Sequence, residues 1–461
     1  MDKNKVIVIG GGISGLATAF WLDRKGVDVK LFEKEARVGG TIKSEMVDGY
    51  LIEHGPSSAL DTTPLIDKLL VDLEIKEEKL SATDEAKKRY ILRNGKLFPL
   101  PMNPFAFMTT KLFSRSAKLR LFKEPFIKTR SNRNESIAEF TERRLGREFL
   151  DYAINPFVAG VFAGDPDNIN VKTAFPKLYD LEKEYGGLIN GAVRSAWKRK
   201  RSKEVSKQSA RTFSFKEGMQ TLPLIIYERI KDKIEMNTEV LAVEKTNEKK
   251  YKVKYKLNGQ VRSEYADAIV ISLPSLQASK LLSPFDEKLS CELKQIYYPP
   301  VNVVFMGFRK KEVNYKLDGF GYLIPAKENR KILGSLWNSC IFPNRAPDGS
   351  YAMTTYIGGA RQPEMTEKDD DETIELTLKE LDSVIGLKSK PDIEKIIRWD
   401  RAIPQYNNHY ADITDSIEKF MNDNKGIYIC CNYYKGISVG DCIKNADATV
   451  NSVLNYLRTL D

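Results

Sequence analysis

Histidine is nearly missing from this chain of 461 residues: only His54 and His409 occur. A histidine-rich metal centre is therefore not expected. A Ser-His-Asp hydrolase would have to use one of these two residues, and no G-x-S-x-G elbow is present. The five cysteines include no C-x-x-C pair, and their odd number suggests a reducing compartment without a disulfide framework. No stretch reaches the roughly 18 consecutive apolar residues that a membrane-spanning helix needs. Lys3 and Lys5 ahead of an apolar run raise the idea of a signal peptide. That run, however, holds four glycines, Asp23-Arg24-Lys25 follows it, and no small-residue cleavage site stands out. Internal repeats and long low-complexity tracts are also missing.

The length allows two or three domains with ample core, and 42% apolar with 30% charged residues is ordinary for a globular protein. The net charge of +10 is unevenly spread. Between Lys111 and Arg133 stand eight Lys/Arg and one acid, interleaved with Phe113, Phe122 and Phe126. Between Arg194 and Lys216 stand nine Lys/Arg and one acid, with Trp197, Phe213 and Phe215. Such clusters suit an anionic membrane surface, nucleic acid or an electropositive funnel for an acidic substrate. For the second cluster a solvated face with a loop at Lys198 to Lys207 is an equal reading.

The strongest local signal is Val6-Ile-Val-Ile-Gly10-Gly11-Gly12-Ile13-Ser14-Gly15. Four β-formers run into a G-x-G-x-x-G turn, and a helical pattern from Leu16 to Arg24 follows. Gly10 permits the turn, Gly12 lets a pyrophosphate approach the backbone, and Gly15 packs helix against strand. The N–H groups at the helix start favour phosphate charge. A second strand, Val27 to Glu33, ends on a carboxylate placed to accept from a ribose 2′-OH. These features predict binding of an adenine dinucleotide. Gly39-Gly40, six residues past Glu33, suit a backbone lying against a larger dinucleotide, which points to FAD.

Residues 1–88 read as βαβ with a continuation, and residues 94–211 turn helical, basic and Pro-punctuated, as an inserted domain would. Strand periodicity returns at Ile234 to Val243, Tyr251 to Leu257 and Ala268 to Pro274. Residues 276–423 alternate strand-like runs with one good helix ending near Gly386. The chain closes with a strand at Gly426 to Cys431, a turn at Lys435-Gly436-Ile-Ser-Val-Gly440, and a helix from Asp441 to about Arg458. That turn offers a second helix start where N–H groups can meet a cofactor.

The segments E-K-E-A-R-V-G-G-T-I-K-S (33–44) and E-H-G-P-S-S (53–58) resemble the FAD-dependent amine oxidase and phytoene desaturase superfamily. Within it the chain is similar to the protoporphyrinogen oxidase family, nearest its plant mitochondrial-type branch. The supporting segments are K-R-Y-I-L-R-N-G (88–95), N-P-F-V-A-G-V-F-A-G-D-P (155–166), F-S-F-K-E-G-M-Q-T-L (213–222), G-Y-L-I-P (321–325), T-T-Y-I-G-G (354–359), R-W-D-R-A-I-P-Q-Y (398–406) and G-I-S-V-G-D-C-I (436–443).

The resemblance implies an α/β and α+β protein. A Rossmann-like FAD domain of the p-hydroxybenzoate hydroxylase and monoamine oxidase type would be discontinuous (1–88, 212–275 and 424–461). A mixed-sheet substrate domain would take 89–93 and 276–423, and the helical insertion 94–211 would bind the membrane. The implied reaction is six-electron oxidation of protoporphyrinogen IX by non-covalent FAD, with O2 as acceptor and no catalytic side chain. Coproporphyrinogen III oxidation, or another flavin amine oxidase or desaturase activity, stands as the alternative.

For the substrate the resemblance assigns Arg93 to a propionate, Leu323, Leu336 and Tyr356 to positions that sandwich the macrocycle, and Ala163-Gly164 to a close backbone approach. Read alone, Arg93-Asn94-Gly95 is a turn signal, and the three apolar positions are ordinary strand core. Tyr356 stands where plant relatives commonly have Phe, so its hydroxyl needs a partner. For the cofactor it assigns Gly10, Gly11, Gly12, Ile13, Ser14 and Gly15 to the pyrophosphate and Glu33 with Lys34 to the adenosine ribose. Gly40 and Thr41 belong to the same site, Thr41 standing where many members have Arg. Gly55, Pro56, Ser57 and Ser58 would run beside the isoalloxazine, Val240 would meet adenine, and Trp399 would lie near the flavin or serve as core. Ser438, Val439 and Gly440 complete the site. The implied partners are a tetrapyrrole and an anionic membrane surface, with ferrochelatase as recipient of the product and a homodimer as candidate assembly. Nucleic acid is not expected, and the implied location is peripheral, on the cytoplasmic side of the cell membrane.

Overall fold

Val6 to Ile9 and Ala268 to Ile271 are buried without alternation, the pattern of parallel strands covered by helices on both faces. In the computed structural model, which describes residues 4–132, 134–199 (side chains to 194), 210–246 and 250–460, these runs form the centre of a five-stranded parallel sheet. Its order is Ile234–Glu235, Asp28–Phe32, Lys5–Ile9, Ala268–Ile271, Ile427–Ile429. One sheet thus draws strands from the start, the middle and the end of the sequence. The helix Ile13–Arg24 packs against the C-terminal helix Val439–Leu457, and Leu16, Phe20, Ile443 and Val450 share one core.

Three differences from the sequence reading have local causes. The expected strand Ile234 to Val243 is two strands in two sheets, Ile234–Glu235 and Thr238–Lys245, divided at Asn237 with φ +54°. Gln260–Ala266 is a strand whose largely exposed, polar residues gave no apolar period; it completes a three-stranded meander with Thr238–Lys245 and Tyr251–Leu257. The region read as mostly strand with one helix also holds the helices Ser275–Leu282, Glu287–Lys294 and Tyr410–Asp423, the last burying Tyr410, Ile413, Ile417 and Phe420 at helical spacing.

A second, seven-stranded sheet has the order Ile393–Trp399, Val301–Arg309, Ser350–Gly358, Gly334–Leu336, Gly321–Leu323, Tyr90–Arg93, Lys96–Pro99. Its pairings are antiparallel except that of Gly321–Leu323 with Tyr90–Arg93, so the sheet is mixed. Lys96–Pro99 pairs with Tyr90–Arg93 through the left-handed turn Asn94-Gly95. That hairpin places residues 96–99 in this sheet, later than the expected boundary at 94.

Beyond the hairpin come short helices, among them Pro104–Thr109, Arg115–Leu121, Ile137–Arg144, Asn155–Phe162 and Pro176–Tyr185. Charge holds this segment together. Arg144 is fully buried and bonds Glu182, Glu124 at 3.3 Å and the carbonyls of Ile127 and Thr129. Arg143 spans Glu135 at 2.8 Å and Glu182 at 2.7 Å. Burial opposes the charge on Glu182, but bonds from Arg143, Ser131 and Arg144 lower its pKa to about 2. No helix among the described residues is long and apolar enough to cross a membrane.

Candidate functional site

The first turn is built for close approach. Gly10 has φ +107°, and a Cβ there would stand 2.5 Å from the Ser272 carbonyl oxygen. At Gly15 a Cβ would stand 2.0 Å from the Gly10 carbonyl oxygen, while at Gly12 it would meet nothing within 4 Å. The helix that follows has no side-chain cap and no acid in its first turn. Its N-terminal N–H groups therefore face an open, glycine-lined cradle with the polarity an anion needs. Glu33 follows its strand directly and accepts from the N–H groups of Gly11 at 2.6 Å and Glu35 at 2.9 Å. These bonds fix a carboxylate at the edge of the cradle. Lys34, exposed beside it, pairs with Glu35 at 3.5 Å.

A second loop lies against this turn. Gly39 donates to the Gly11 carbonyl at 2.8 Å, and Arg37 donates to the Gly40 carbonyl at 2.6 Å. Arg37 is a positioning residue that sequence reasoning did not single out, although it stands four places after Glu33. A Cβ at Gly55 would stand 2.2 Å from the Thr41 carbonyl oxygen, so the loop Gly55 to Ser58 sits on the same surface. Val240 lies at a β-bulge in a strand that begins where Thr238 donates to the Glu33 carbonyl at 2.8 Å. Ser438 caps the last helix by accepting from the Asp441 N–H at 3.1 Å, and a Cβ at Gly440 would come within 2.9 Å of Thr62 Oγ1. Gly10 to Gly15, Glu33, Gly39 to Thr41 and Gly55 thus gather around one glycine-lined turn whose geometry fits an extended dinucleotide.

The loop Gly55 to Ser58 is held from below. The Trp399 indole N–H donates to the His54 carbonyl at 2.8 Å, and His54 Nε2 meets Glu45 Oε2 at 2.8 Å. Burial lowers the His54 pKa despite the neighbouring Glu45. Glu53 is buried and accepts from the Ser44 hydroxyl at 2.6 Å and the Met219 N–H at 2.8 Å; burial raises its pKa to about 7. Arg345, buried nearby, bonds the Phe215 carbonyl at 2.8 Å, and burial lowers its pKa to about 10. Glu53 entered the sequence reading only as a letter in a motif, and Arg345 not as a site residue. Their role depends on contacts that no local pattern reveals.

The sheet register gathers the expected substrate residues. Leu323 is paired with Gly334 and Gly334 with Tyr356, while Leu336 is paired with Gly321. Directly paired residues share a face, so Leu323, Leu336 and Tyr356 stand on one face around two glycines. Those glycines are fixed by backbone: a Cβ would come 2.2 Å from the Ser335 oxygen at Gly321 and 2.3 Å from the Tyr322 oxygen at Gly334. Burial pushes the Tyr356 pKa up to about 12, opposed in part by the nearby Ser57 side chain, so the loop Gly55 to Ser58 lies next to this sheet face. The helix Asn155–Phe162 abuts the same face, because a Cβ at Gly160 would lie 2.4 Å from Leu323 Cδ2. The helix ends at Ala163 with φ +50°, whose carbonyl accepts from the Ala360 N–H at 2.7 Å. Gln405 braces that end, donating to the Phe162 carbonyl at 2.7 Å beneath Gly164. Ala163, Tyr356 and Trp399 fall in one apolar cluster. Arg93, two residues past the partner of Leu323, stands at the end of the adjacent strand on that face.

A dinucleotide cradle joined to a mixed-sheet domain is the arrangement of a flavoprotein oxidoreductase. The chain belongs to the flavin containing amine oxidoreductase family, which matches residues 13–454, and it is an FAD-dependent oxidoreductase. Within that family it is 33% identical to protoporphyrinogen oxidase 2, chloroplastic/mitochondrial, of Arabidopsis thaliana, over 100% of this chain and 95% of that one. It is 28% identical to coproporphyrinogen III oxidase of Bacillus subtilis (strain 168), over 99% of each chain. Its fold matches the crystal structure of a candidate protoporphyrinogen oxidase from Exiguobacterium sp. 255-15 with a TM-score of 0.82 at 22% identity, covering 99% of this chain and 100% of that one.

Proposed function

We propose that the protein oxidises protoporphyrinogen IX to protoporphyrin IX, removing six electrons in three two-electron steps. The observation that carries this reading is the sheet face on which Leu323, Leu336 and Tyr356 surround two glycines, with Arg93 at its edge. A flat apolar floor with a cation at one rim suits a wide ring that bears carboxylates on one side. The relatives named above support the same substrate class.

FAD, when bound, supplies a two-electron hydride acceptor that O2 can reoxidise. The chain's own residues bind and orient. Gly10 to Gly15 offer backbone N–H groups to the pyrophosphate, and Glu33 accepts from the ribose. Trp399 holds the His54 carbonyl just before the loop Gly55 to Ser58, and Ala163-Gly164 let the helix backbone approach the ring closely. Arg93 takes a propionate through a charge-assisted bond of about 1.5–3 kcal/mol. Burial raises the Cys442 thiol pKa to about 12, which disfavours the thiolate that covalent attachment would need. We therefore propose non-covalent binding of the cofactor.

Coproporphyrinogen III is the second reading. Arg361 bonds Asn155 Oδ1 and the Ile324 carbonyl, and its Nε has no partner among the described residues. With Arg147 and Lys327 it lines a cavity of about 550 Å³, where Asp151, Asp165 and Asp167 alternate with these bases. The ratio of kcat/KM for the two porphyrinogens, followed by porphyrin fluorescence, tests the choice. A higher value for protoporphyrinogen IX is expected, and a higher value for coproporphyrinogen III would replace the first reading with the second.

We also propose that the segment after residue 100 docks on an anionic membrane. Phe105 and Phe126 are 79% and 82% exposed, and Met102, Leu119 and Phe122 are exposed beside them. Lys111, Arg115, Lys118, Lys123, Lys128 and Arg130 are interleaved with these residues, at about 1 kcal/mol per base near an anionic leaflet. Residues 200–209 of the second basic cluster, with Lys200, Arg201, Lys203 and Lys207, lie outside the described residues. Flotation with phosphatidylserine vesicles should weaken as salt rises and vanish on replacing Phe105, Phe122 and Phe126 by Ser. Absence of binding at low salt would refute the docking.

A further inference from the structure

Arg93 already has a carboxylate. Its Nη1 donates to Glu148 Oε1 at 2.6 Å and to the Leu112 carbonyl oxygen, and its guanidinium lies 4.2 Å from the centre of the Tyr152 ring. Tyr152 and Leu323 belong to the same apolar cluster, so this pair borders the proposed ring site. Glu148 in turn accepts from the Ser114 N–H at 2.8 Å and the Ser114 hydroxyl at 2.5 Å. Ser114 is the N-cap of Arg115–Leu121, the helix that exposes Leu119. Burial pushes the Glu148 pKa up, but the bonds from Ser114 and Arg93 outweigh it and keep the carboxyl below its ordinary range. At neutral pH the guanidinium therefore faces a negative charge supplied by the insertion.

An arriving ligand carboxylate has two routes. It can replace Glu148 at Nη1, or it can bind through Nε and Nη2, which carry no bond among the described residues. The second route sets two carboxylates on one guanidinium, so Glu148 opposes the ligand in either case. We propose that Glu148 is a specificity-determining residue that competes with a substrate carboxylate for Arg93. The inference rests on the reading of Arg93 as the propionate anchor.

The FAD-loaded protein is titrated with protoporphyrin IX and with its dimethyl ester, whose propionates carry no charge, and porphyrin absorbance is followed. Glu148→Gln keeps an acceptor for Ser114 and removes the charge. It should bind the diacid about tenfold more tightly, the scale of exchanging a charge-assisted bond for a neutral one, and leave the diester unchanged. Ser114→Ala loosens Glu148 without touching Arg93 and should shift the diacid in the same direction by less; it decides the question if Glu148→Gln loses FAD. Equal diacid affinity in wild type and variants, or parallel shifts for diacid and diester, would overturn the proposal. Wild type that binds neither porphyrin would remove the substrate reading itself, an outcome distinct from a missing Glu148 effect.

Discussion

Arg144 and Arg93 both meet carboxylates of the insertion, but they use their guanidinium groups differently. Arg144, fully buried, places a bond from each of its three nitrogens, on Glu182, Glu124 and two carbonyls. Arg93, partly exposed, places both of its bonds from Nη1. A fully used fork is architecture, because removing it strands buried charge. A half-used fork at the edge of a sheet face keeps hydrogen-bond capacity for a ligand.

Substitution at the two positions should separate these roles. Arg144→Met removes the buried cation that Glu182 and Glu124 share, leaving Glu182 to Arg143 and Ser131 and Glu124 to the N–H groups of Leu188 and Ile189, and should cost about 3–5 kcal/mol. Thermal unfolding should register the loss, and limited proteolysis should cut first within residues 100–185. Arg93→Ala should leave the melting temperature and FAD content close to wild type and raise KM about tenfold, the loss of one charge-assisted bond. An unchanged KM would place Arg93 with Arg144 among structural residues. A stable Arg144→Met protein would show that the buried network is dispensable.

The dinucleotide cradle was the most legible part of the chain, since its geometry is written in glycines whose missing Cβ atoms are required locally. Gly10, Gly12 and Gly15 stand as their spacing predicts, and Glu33 follows its strand directly. The sheet floor was legible only through family resemblance: Leu323, Leu336 and Tyr356 come from three strands, and only register reveals their common face. Among the elements that escaped notice, the exposed strand Gln260–Ala266 lacked an apolar period, and the helices Ser275–Leu282, Glu287–Lys294 and Tyr410–Asp423 went unread among strand-like runs. Glu148 and Ser114 were invisible as site residues, because their meaning depends on a contact with Arg93 across 55 positions of sequence. Glu53 and Arg345 escaped for the same reason, being buried charges whose neighbours lie far along the chain.

The central claim is that this cradle and this sheet face present a tetrapyrrole to FAD. Anaerobic mixing of the FAD-loaded protein with porphyrinogens and with a panel of primary and polyamines tests it most directly. The account predicts that the flavin absorbance bleaches with the porphyrinogens, that porphyrin absorbance rises with it, and that the amines leave the flavin oxidised. Bleaching by amines alone would contradict the account.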